Sequence, residues 1–482
     1  MPKSVISAFK AVSSFVSKFD MFGGLFNPLS FAISMVASSI ISKIFAPSAP
    51  NQSNIAEQPN PGNPQQLAPA GDNKLPVIYG TAYVGGIITD LSISQNNQDI
   101  YWVISLCEVT NSESGGTPDN ITFGNIYWGG KKVVFGSGAA VTGLLDESTN
   151  VTQDVSGYMD IWLYKNGSNA PANTSTSAIS VLSNTNLIYT WNNTKLMSSC
   201  AFAIIHLKYN QNLNLTGLQQ TRFQVTNARS APGDCFLDYL TSQRYGAAIP
   251  LAQIDTNSLT ELNTYSSQSF TYTTYSGGTS TQPRFAFNGV LNTQQKIMSN
   301  IQLMANCCDC LVKYNEITSL WGVITQKPTY TIAMALDNSN MTSAIQVTPI
   351  DLNNSFNVIE VKFPDGSEKD SFASATFDLN TINPSLLFPN EPINKQSVSL
   401  DLCNNSVQAQ YLANRMLEAA REDLQMTVEI GYEGIQLEAG DIVTVTNSNY
   451  GWVAKEFRIS KDRKSTRLNS SHIPLSRMPS SA

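Results

Sequence analysis

The stretch from Lys74 to Val225 most constrains the fold, because short apolar runs alternate there with turn residues. Short runs rich in β-branched and aromatic residues, bounded by Gly, Asn and Pro, are typical of strands rather than helices. The sequence therefore predicts a mostly β unit. The predicted strands lie in LPVIYG, GGIITDLSI, DIYWVISLCEVT, NITFGNIYWGGKKVVFG (a hairpin turning at Gly129-Gly130), YMDIWLYKNGS, CAFAIIHLKYN and TRFQVTN.

Helical signals begin near Pro232 and remain few. The segment from Ala231 begins with Pro-Gly-Asp, which predicts a helix that stops at Gly246. Three further helices are predicted, from a Ser258 cap through Leu262, from Thr293 to Asn306 and from Ser406 to Glu422. Between them, CCDCLVKYNE, LWGVITQK, FNVIEVKF and MTVEIGYEGIQLEAGDIVTVTN read as strands. The predicted fold class is α+β and predominantly β.

Residues 1–46 form a separate helical section. Apolar residues recur there at helical spacing, and lysines occupy the remaining arc: Val5, Phe9, Val12, Val16 and Phe19, against Lys3, Lys10 and Lys18. The following stretch, Phe26 to Phe45, is barely long enough for a membrane span and carries Asn27, Pro28 and Lys43. We therefore favour an assembly helix over a membrane anchor. Residues 47–72, rich in Pro, Gln and Asn, predict an extended linker.

Composition narrows the class of protein. The chain of 482 residues is too long for one compact core, and its 42% hydrophobic content predicts a globular protein of two to four domains. No run of Lys or Arg stands out in the body of a chain with net charge -7, so nucleic acid is a poor partner. Seven scattered cysteines do not make a disulfide framework, which indicates folding in a reducing cytoplasm.

The composition and residue pattern of the sequence change abruptly at Asp462. DRKSTRLNSSH and SRMPSSA resemble, codon by codon, translated read-through of a common sequencing adapter, so we interpret residues 462–482 as not native. That segment holds four basic residues and one acidic residue, so without it the net charge of -7 becomes -10. We expect the natural protein to continue past Lys461.

Candidate chemistry is sparse. Adjacent Cys307 and Cys308 point in diverging directions at a helix end, and no second pair or nearby histidine joins them and Cys310 to complete the four ligands that zinc needs, so burial as small apolar side chains is the favoured interpretation. His206 lies in a strand pattern, and a structural histidine is the default there. Capping of turns and helix starts accounts for the scattered acids Asp234, Asp238, Asp255, Glu360 and Asp365.

No catalytic or cofactor motif is present. G-x-S-x-G, H-E-x-x-H and phosphate loops do not occur. Asn-x-Ser/Thr matches at Asn120, Asn150 and Asn214 follow from the composition and are not interpreted as glycosylation sites. The residues predict no enzyme, no catalytic or metal site and no cofactor.

Several segments, in order, resemble the tip attachment (host-specificity, J-type) proteins of bacteriophage tails. They are LPVIYG-TAYVGG, APGDCFLDYLTSQRYGAAIPLAQID with its R-Y-G helix end, FNGVLNTQQKIMSNIQLMANCCDCLVKYNEITSLWGVI, FNVIEVKFPD and GIQLEAGDIVTVTN. The similarity spans Leu75 to Lys461. It implies a baseplate-hub-like, non-catalytic virion component, assembled in the host cytoplasm, that closes the distal end of the tail tube as a homotrimer.

The resemblance also implies the domain organisation and the partners. A β-rich hub domain would cover 73–230 with an insertion near 110–200, a smaller α/β domain 231–345, and a second, truncated β-rich hub domain with one helix 346–461. The expected partners are sister copies, the distal tail and tape-measure proteins, and a host surface receptor contacted through a C-terminal region that this chain lacks.

Two other functions remain open. The Phe26–Phe45 stretch would also suit a membrane-tethered surface adhesin. Tryptophans beside scattered acids would suit a glycan-active tail enzyme: Trp128, Trp162, Trp191 and Trp321.

Overall fold

A computed structural model describes residues 66–67, 73–113, 116–273, 279–315, 318–349, 355–421, 424–460, 463–464 and 471–477. The predicted N-terminal helical section and most of the linker lie outside these residues. Strands dominate the described part, which confirms the predicted fold class. Within that part, no helix is long and apolar enough to cross a membrane.

Two six-stranded sheets build the N-terminal half. Their strands are β1 (Val77–Tyr79), β2 (Thr81–Val84), β3 (Ile87–Ile93), β4 (Asp99–Glu108), β5 (Ile121–Trp128), β6 (Lys131–Phe135), β7 (Val141–Asp146), β8 (Val151–Asp154), β9 (Met159–Tyr164), β10 (Cys200–Lys208), β11 (Thr221–Asn227) and β14 (Gly289–Leu291). The first sheet has the order β14-β1-β4-β10-β9 with β3 also on β4, and the second β2-β11-β5-β6-β7-β8. The predicted hairpin at Gly129-Gly130 is confirmed, since both glycines have positive φ there.

A shared core lies between the two sheets. Alternate residues of both point into it, as Val225 and Phe223 do from β11 and Ile161 from β9. The central strands β4 and β10 are buried on both faces, which explains why DIYWVISLCE and CAFAIIHLK read as nearly continuous apolar runs. Their second face is covered by residues 165–199.

We call residues 165–199, between β9 and β10, the cover. It contains the short helix α1 (Ala178–Leu182), capped by Ser177. Apolar cover residues such as Leu182 and Trp191 pack against Phe202 and Ile204 on the outer face of the first sheet. Of the section near 110–200, residues 121–164 contribute strands β5 to β9, so the cover is confined to its last third.

The helices share one core with several smaller sheets. They are α2 (Pro232–Thr241), α3 (Thr256–Ser267), α4 (Ile297–Asn306), α5 (Leu379–Ile382) and α6 (Ser406–Ala419), with single 3-10 turns at Leu251–Gln253, Gly366–Glu368, Pro384–Leu386, Tyr432–Gln436 and Ser448–Tyr450. Two hairpins accompany them, β12 (Ser269–Thr273) with β13 (Thr279–Pro283) and β15 (Cys310–Asn315) with β16 (Leu320–Thr325). A three-stranded sheet completes the group in the order β20 (Ser371–Asp378), β19 (Val358–Asp365), β21 (Lys395–Ser399).

The last sheet has its own small core. Its strands are β17 (Ile332–Leu336), β18 (Gln346–Pro349), β22 (Leu424–Ile430), β23 (Ile442–Asn447), β24 (Trp452–Ile459), β25 (Arg463–Lys464) and β26 (Ser471–Arg477), in the order β17-β23-β24-β26-β22-β18 with β25 on β26. Met426, Val428 and Phe457 are fully buried in its centre. β26 belongs to the stretch that we interpret as not native, and its backbone pairs with β22 and β24; the origin of that stretch stays a prediction.

The three-residue strand β1 joins the two large cores. Val77 and Tyr79 face the helical core, whereas Ile78 faces the core between the sheets. This alternation follows from the period of two along a strand. β1 pairs parallel with β4 and antiparallel with β14, a strand that comes from beyond α3 in the chain.

The predicted helix bounds were wrong in four helices, at five ends. α2 ends at Thr241 rather than Gly246, and α6 ends at Ala419 rather than Glu422. α3 is capped by Asp255, not Ser258, and runs on to Ser267. α4 begins only at Ile297, because residues from Asn292 first form a turn in which the Asn292 side chain accepts a hydrogen bond from the Gln294 amide.

Close packing of α2 on α3 depends on Gly233. A β-carbon there would lie 2.1 Å from the Leu259 carbonyl oxygen. We expect Gly233→Ala to lower the free energy of unfolding by about 2 to 3 kcal/mol, despite the better helix propensity of alanine. Urea unfolding followed by tryptophan fluorescence measures the change. Gly217→Ala, where no atom lies within 4 Å of the added carbon, is the control; equal effects of both substitutions would contradict the packing argument.

Candidate functional site

The R-Y-G segment after α2 lies at a junction between β1 and the helical core. Asp238, in the last turn of α2, is buried at 7% exposure. Its carboxylate accepts hydrogen bonds from the Tyr79 hydroxyl at 2.8 Å, the Tyr245 hydroxyl at 3.0 Å and the Asn111 amide at 3.2 Å. Burial raises the pKa of Asp238, and the tyrosine hydrogen bonds oppose that rise. We call this set the R-Y-G junction.

The same junction explains why α2 stops early. The Glu113 carboxylate accepts hydrogen bonds from the Ser242 hydroxyl at 2.6 Å and from the amides of Gln243 and Arg244 at 2.9 and 3.2 Å. These amides therefore do not continue the helix. Gly246 follows, where a β-carbon would lie 1.9 Å from the Tyr239 carbonyl oxygen, so no larger residue fits. The R-Y-G motif therefore reverses the direction of the chain after α2.

Ion pairs secure the junction on both sides. The Arg244 guanidinium lies 2.6 Å from the Glu108 carboxylate at the end of β4. Arg229 contacts both oxygens of Asp119, at 2.7 and 3.3 Å, and donates to the Asp234 carbonyl at 3.0 Å. Bidentate pairs of this kind fix orientation as well as distance. Together they fix the helical core on the ends of strands from both six-stranded sheets.

A second junction lies where the β19–β20 turn meets the second sheet. We call residues 366–372 the docking turn. Lys369 and Asp370 both adopt left-handed backbone conformations, with φ of 57° and 56°. Lys369 pairs with Glu147 at 2.9 Å and lies 4.1 Å from the centre of the Tyr127 ring. Two consecutive non-glycine residues in this region cost energy, which the contacts across the junction must offset.

Asp370 is the most unusual group in the docking turn. It is 5% exposed, and its Oδ2 accepts the Tyr83 amide at 2.6 Å. Its Oδ1 is buried and has no hydrogen-bond partner among the described residues. It borders a cavity of about 20 Å³, enough for one water molecule. Burial raises the pKa of Asp370 to about 6, with Asp365 adding to the rise and Arg222 opposing it.

The structure buries all three clustered cysteines completely. The Cys308 thiol donates to the Met304 carbonyl at 3.3 Å and lies 3.5 Å from Cys310. Burial raises the pKa of the Cys307 and Cys308 thiols well above the usual value, which disfavours the thiolate that metals and electrophiles require. Their surroundings are those of small apolar side chains.

His206 lies on β10 between two carboxylates. Its Nε2 is 2.9 Å from Asp99 and its Nδ1 is 2.9 Å from Asp160, and its ring stacks on Tyr101 at 4.5 Å. Only the imidazolium form can donate to both carboxylates at once. With both nitrogens occupied, the side chain ties β4, β9 and β10 together and offers no free nitrogen for base chemistry.

The other acidic residues and the tryptophans singled out in the sequence do not come together in one site. Asp255 and Asp365 cap the turns that follow them, as predicted, whereas Glu360 lies within β19, bonded to Ser374 and Lys395. Capping was therefore the wrong interpretation for Glu360 and for Asp238. Trp128, Trp191 and Trp321 are buried, and Trp162 is half-buried on β9, so most of them do not form the exposed platforms that sugars stack on. Among the described residues, no group of three or more His, Cys, Asp or Glu side chains is arranged so that it could hold a metal ion.

Sequence reasoning missed the residues that matter most at both junctions. The R-Y-G motif pointed to the first junction but gave no sign of Glu113 or Tyr79 as partners. Nothing in the sequence marked Asp370, because the Tyr83 amide that it accepts lies 287 residues away. Both junctions hold parts of the chain in a fixed relation and assemble no reactive groups.

A family model described as "Putative phage tail protein" matches residues 326–461, which cover the three-stranded sheet, α6 and most of the last sheet. No curated protein matches the chain.

Among solved structures, a chain of the virion of a native gene transfer agent particle shares the fold. It matches with a TM-score of 0.57 and 10% identity, covering 94% of this chain and 98% of that one. A 43 kDa prophage MuSo2 tail protein from Shewanella oneidensis (TM-score 0.28, 10% identity, covering 83% and 94%) and prophage tail protein gp18 from Listeria monocytogenes (0.25, 9%, 81% and 88%) also match.

The R-Y-G junction predicts a stability effect at Tyr79. Tyr79→Phe removes the hydroxyl that donates to a buried carboxylate, and hydrogen bonds to charged groups contribute about 1.5 to 3 kcal/mol. We expect the free energy of unfolding to fall by about 2 kcal/mol, measured by denaturant titration. Tyr209→Phe, at a residue 47% exposed, is the control and should be nearly neutral. A neutral Tyr79→Phe would show that Asp238 does not depend on this hydrogen bond.

The docking turn predicts an unusual pH dependence. Because the pKa of Asp370 is about 6 in the folded chain and near 3.8 ordinarily, the folded state binds the proton more tightly, so stability falls as pH rises between about 4 and 6. Asp370→Asn should remove this loss. Relative to the parent, the variant should gain stability between pH 4 and pH 7.5, by at most about 3 kcal/mol.

Thermal unfolding monitored across that pH range measures the difference. Asp154→Asn is the control of opposite sign, since hydrogen bonds from Ser156 lower the pKa of the exposed Asp154 carboxyl. The parent should lose stability relative to that variant as pH falls through the acid range. A pH-independent difference between Asp370→Asn and the parent would refute the argument.

Proposed function

The chain is a phage tail protein, as its motifs predicted, and we propose that it is the hub subunit that closes the distal end of the tail tube. The observation that carries the proposal is the family match over residues 326–461, joined to a fold shared over 94% of the chain with a virion component. The sequence motifs of the tip attachment family extend the same interpretation from Leu75 to Lys461.

The proposed subunit acts as a trimer with other tail proteins around it. Its described surface leaves several large apolar side chains in water, among them Val151, Tyr432, Ile393 and Val453 at 63, 67, 80 and 84% exposure. β8 ends the second sheet with little burial on either face, which leaves a free strand edge. Such features are costly in a lone soluble chain and are suited to contacts with sister copies and tail neighbours.

The proposed role is mechanical and non-catalytic. The R-Y-G junction holds the first sheet against the helical core, and the docking turn holds the three-stranded sheet against the second sheet, so that a load on one part is passed to the others. The division into hub domains at 73–230 and 346–461 and an α/β domain at 231–345 is part of this proposal. Residues past Lys461 would link the hub to the parts that contact the host receptor.

Mass in solution tests the trimer. Light scattering of the full chain should give three times its 52.5 kDa mass. A strictly monomeric chain at every concentration would contradict a ring. Co-purification with the distal tail protein of the same phage tests the proposed place in the tail, and its failure with a trimeric hub would contradict the position but not the oligomer.

A further inference from the structure

An open groove separates the cover from the edge of the first sheet. β3 residues 88–91 form one wall, and cover residues 189–191 with Lys195 form the other, around a volume of about 550 Å³. Leu91 is 43% exposed and Tyr189 is 73% exposed, and the adjoining Ile188 and Leu196 are about half exposed. Apolar side chains gathered around one concavity mark a binding surface.

The groove is preformed by bonds between its walls. The Trp191 indole donates to the Asp90 carboxylate at 2.7 Å, and the Ser92 hydroxyl donates to the Tyr189 carbonyl at 2.5 Å. The Ile188 amide donates to the Ile93 carbonyl at 2.9 Å. The walls therefore hold their separation without help from a ligand, and a ligand would not have to order them.

The N-terminal part of the chain reaches the body at this same strand. The Leu67 amide donates to the Gly86 carbonyl at 2.9 Å, and the Ile88 amide donates to the Leu67 carbonyl at 3.1 Å. Leu67 is buried, so this contact is a fixed point. Ile88 both bonds to Leu67 and lines the groove. The entry point of the chain is thus beside the groove.

The chain before Leu67 contains an amphipathic segment whose apolar side chains would suit an apolar groove. Val5, Phe9, Val12, Val16 and Phe19 form one apolar stripe at helical spacing, and lysines occupy the opposite arc. Residues 20–66 connect the segment to Leu67, and a coil of 47 residues has an end-to-end distance on the order of 35 to 40 Å. A segment tethered so close to its site has an effective concentration in the millimolar range.

We propose that the groove between β3 and the cover is the docking site of the chain's own N-terminal apolar stripe, Val5–Phe19. Docking covers Leu91 and Tyr189 and leaves the lysine arc facing outward. The N-terminal segment is then held against the first sheet by its own chain, at a place set by Leu67.

Thiol labelling tests the proposal on the full chain. All seven native cysteines are buried, so Tyr189→Cys adds one exposed thiol whose reaction with a maleimide reports coverage of the groove. With the intact N-terminal stripe, labelling should be slow. Adding Phe9→Asp with Val12→Asp should speed it by at least about tenfold, because the tethered stripe no longer docks. Ser7→Asp with Ser14→Asp, on the opposite arc, is the matched control and should leave labelling slow.

Each other result overturns the proposal. Fast labelling in all three chains means that the groove is uncovered, and slow labelling in all three means that something else covers it. Excess chain with an intact stripe and an unchanged Tyr189 is then added to the Phe9→Asp/Val12→Asp chain. Restored protection there would show that the stripe comes from a sister copy. These outcomes do not depend on whether the chain forms a trimer.

Discussion

Burial on both sides of β1 is the constraint on which the rest of the structure depends. Three residues face two cores in alternation, Val77 and Tyr79 toward the helices and Ile78 toward the space between the sheets. A shift of one residue in register would exchange these faces and expose both cores. The buried hydrogen bond from Tyr79 to Asp238 makes that register specific, since a shifted strand would leave a carboxylate without its donor. The relation between the two cores is thus set at one short strand.

Local patterns in the sequence were sufficient to predict most strands. The alternation in TRFQVTN, the two glycines at 129–130 and the apolar runs of β4 and β10 each determine their element through neighbouring residues alone. Helix ends were predicted less well, because distant side chains decide them. Glu113 takes the amides that would have extended α2, and it lies 131 residues before Arg244.

The hydrogen-bond partners at the two junctions could not be predicted from the sequence, for the same physical reason. A buried carboxylate is stable only with partners, and two donors that Asp238 and Asp370 depend on, Tyr79 and Tyr83, lie on β1 and β2, far back in the chain. The R-Y-G motif marked the place of the first junction but not its chemistry. For the cysteines and for His206, the interpretation as structural side chains needed only their setting in apolar runs.

The cover is a part of the molecule whose sequence can vary more freely than that of the core. It is a single continuous segment that contacts the first sheet from outside, while the core between the sheets is made without it. Its sequence can therefore drift or be exchanged between related phages, provided that a few apolar residues still reach Phe202 and Ile204. Variation of this kind would reshape one flank of the molecule and leave its internal framework untouched.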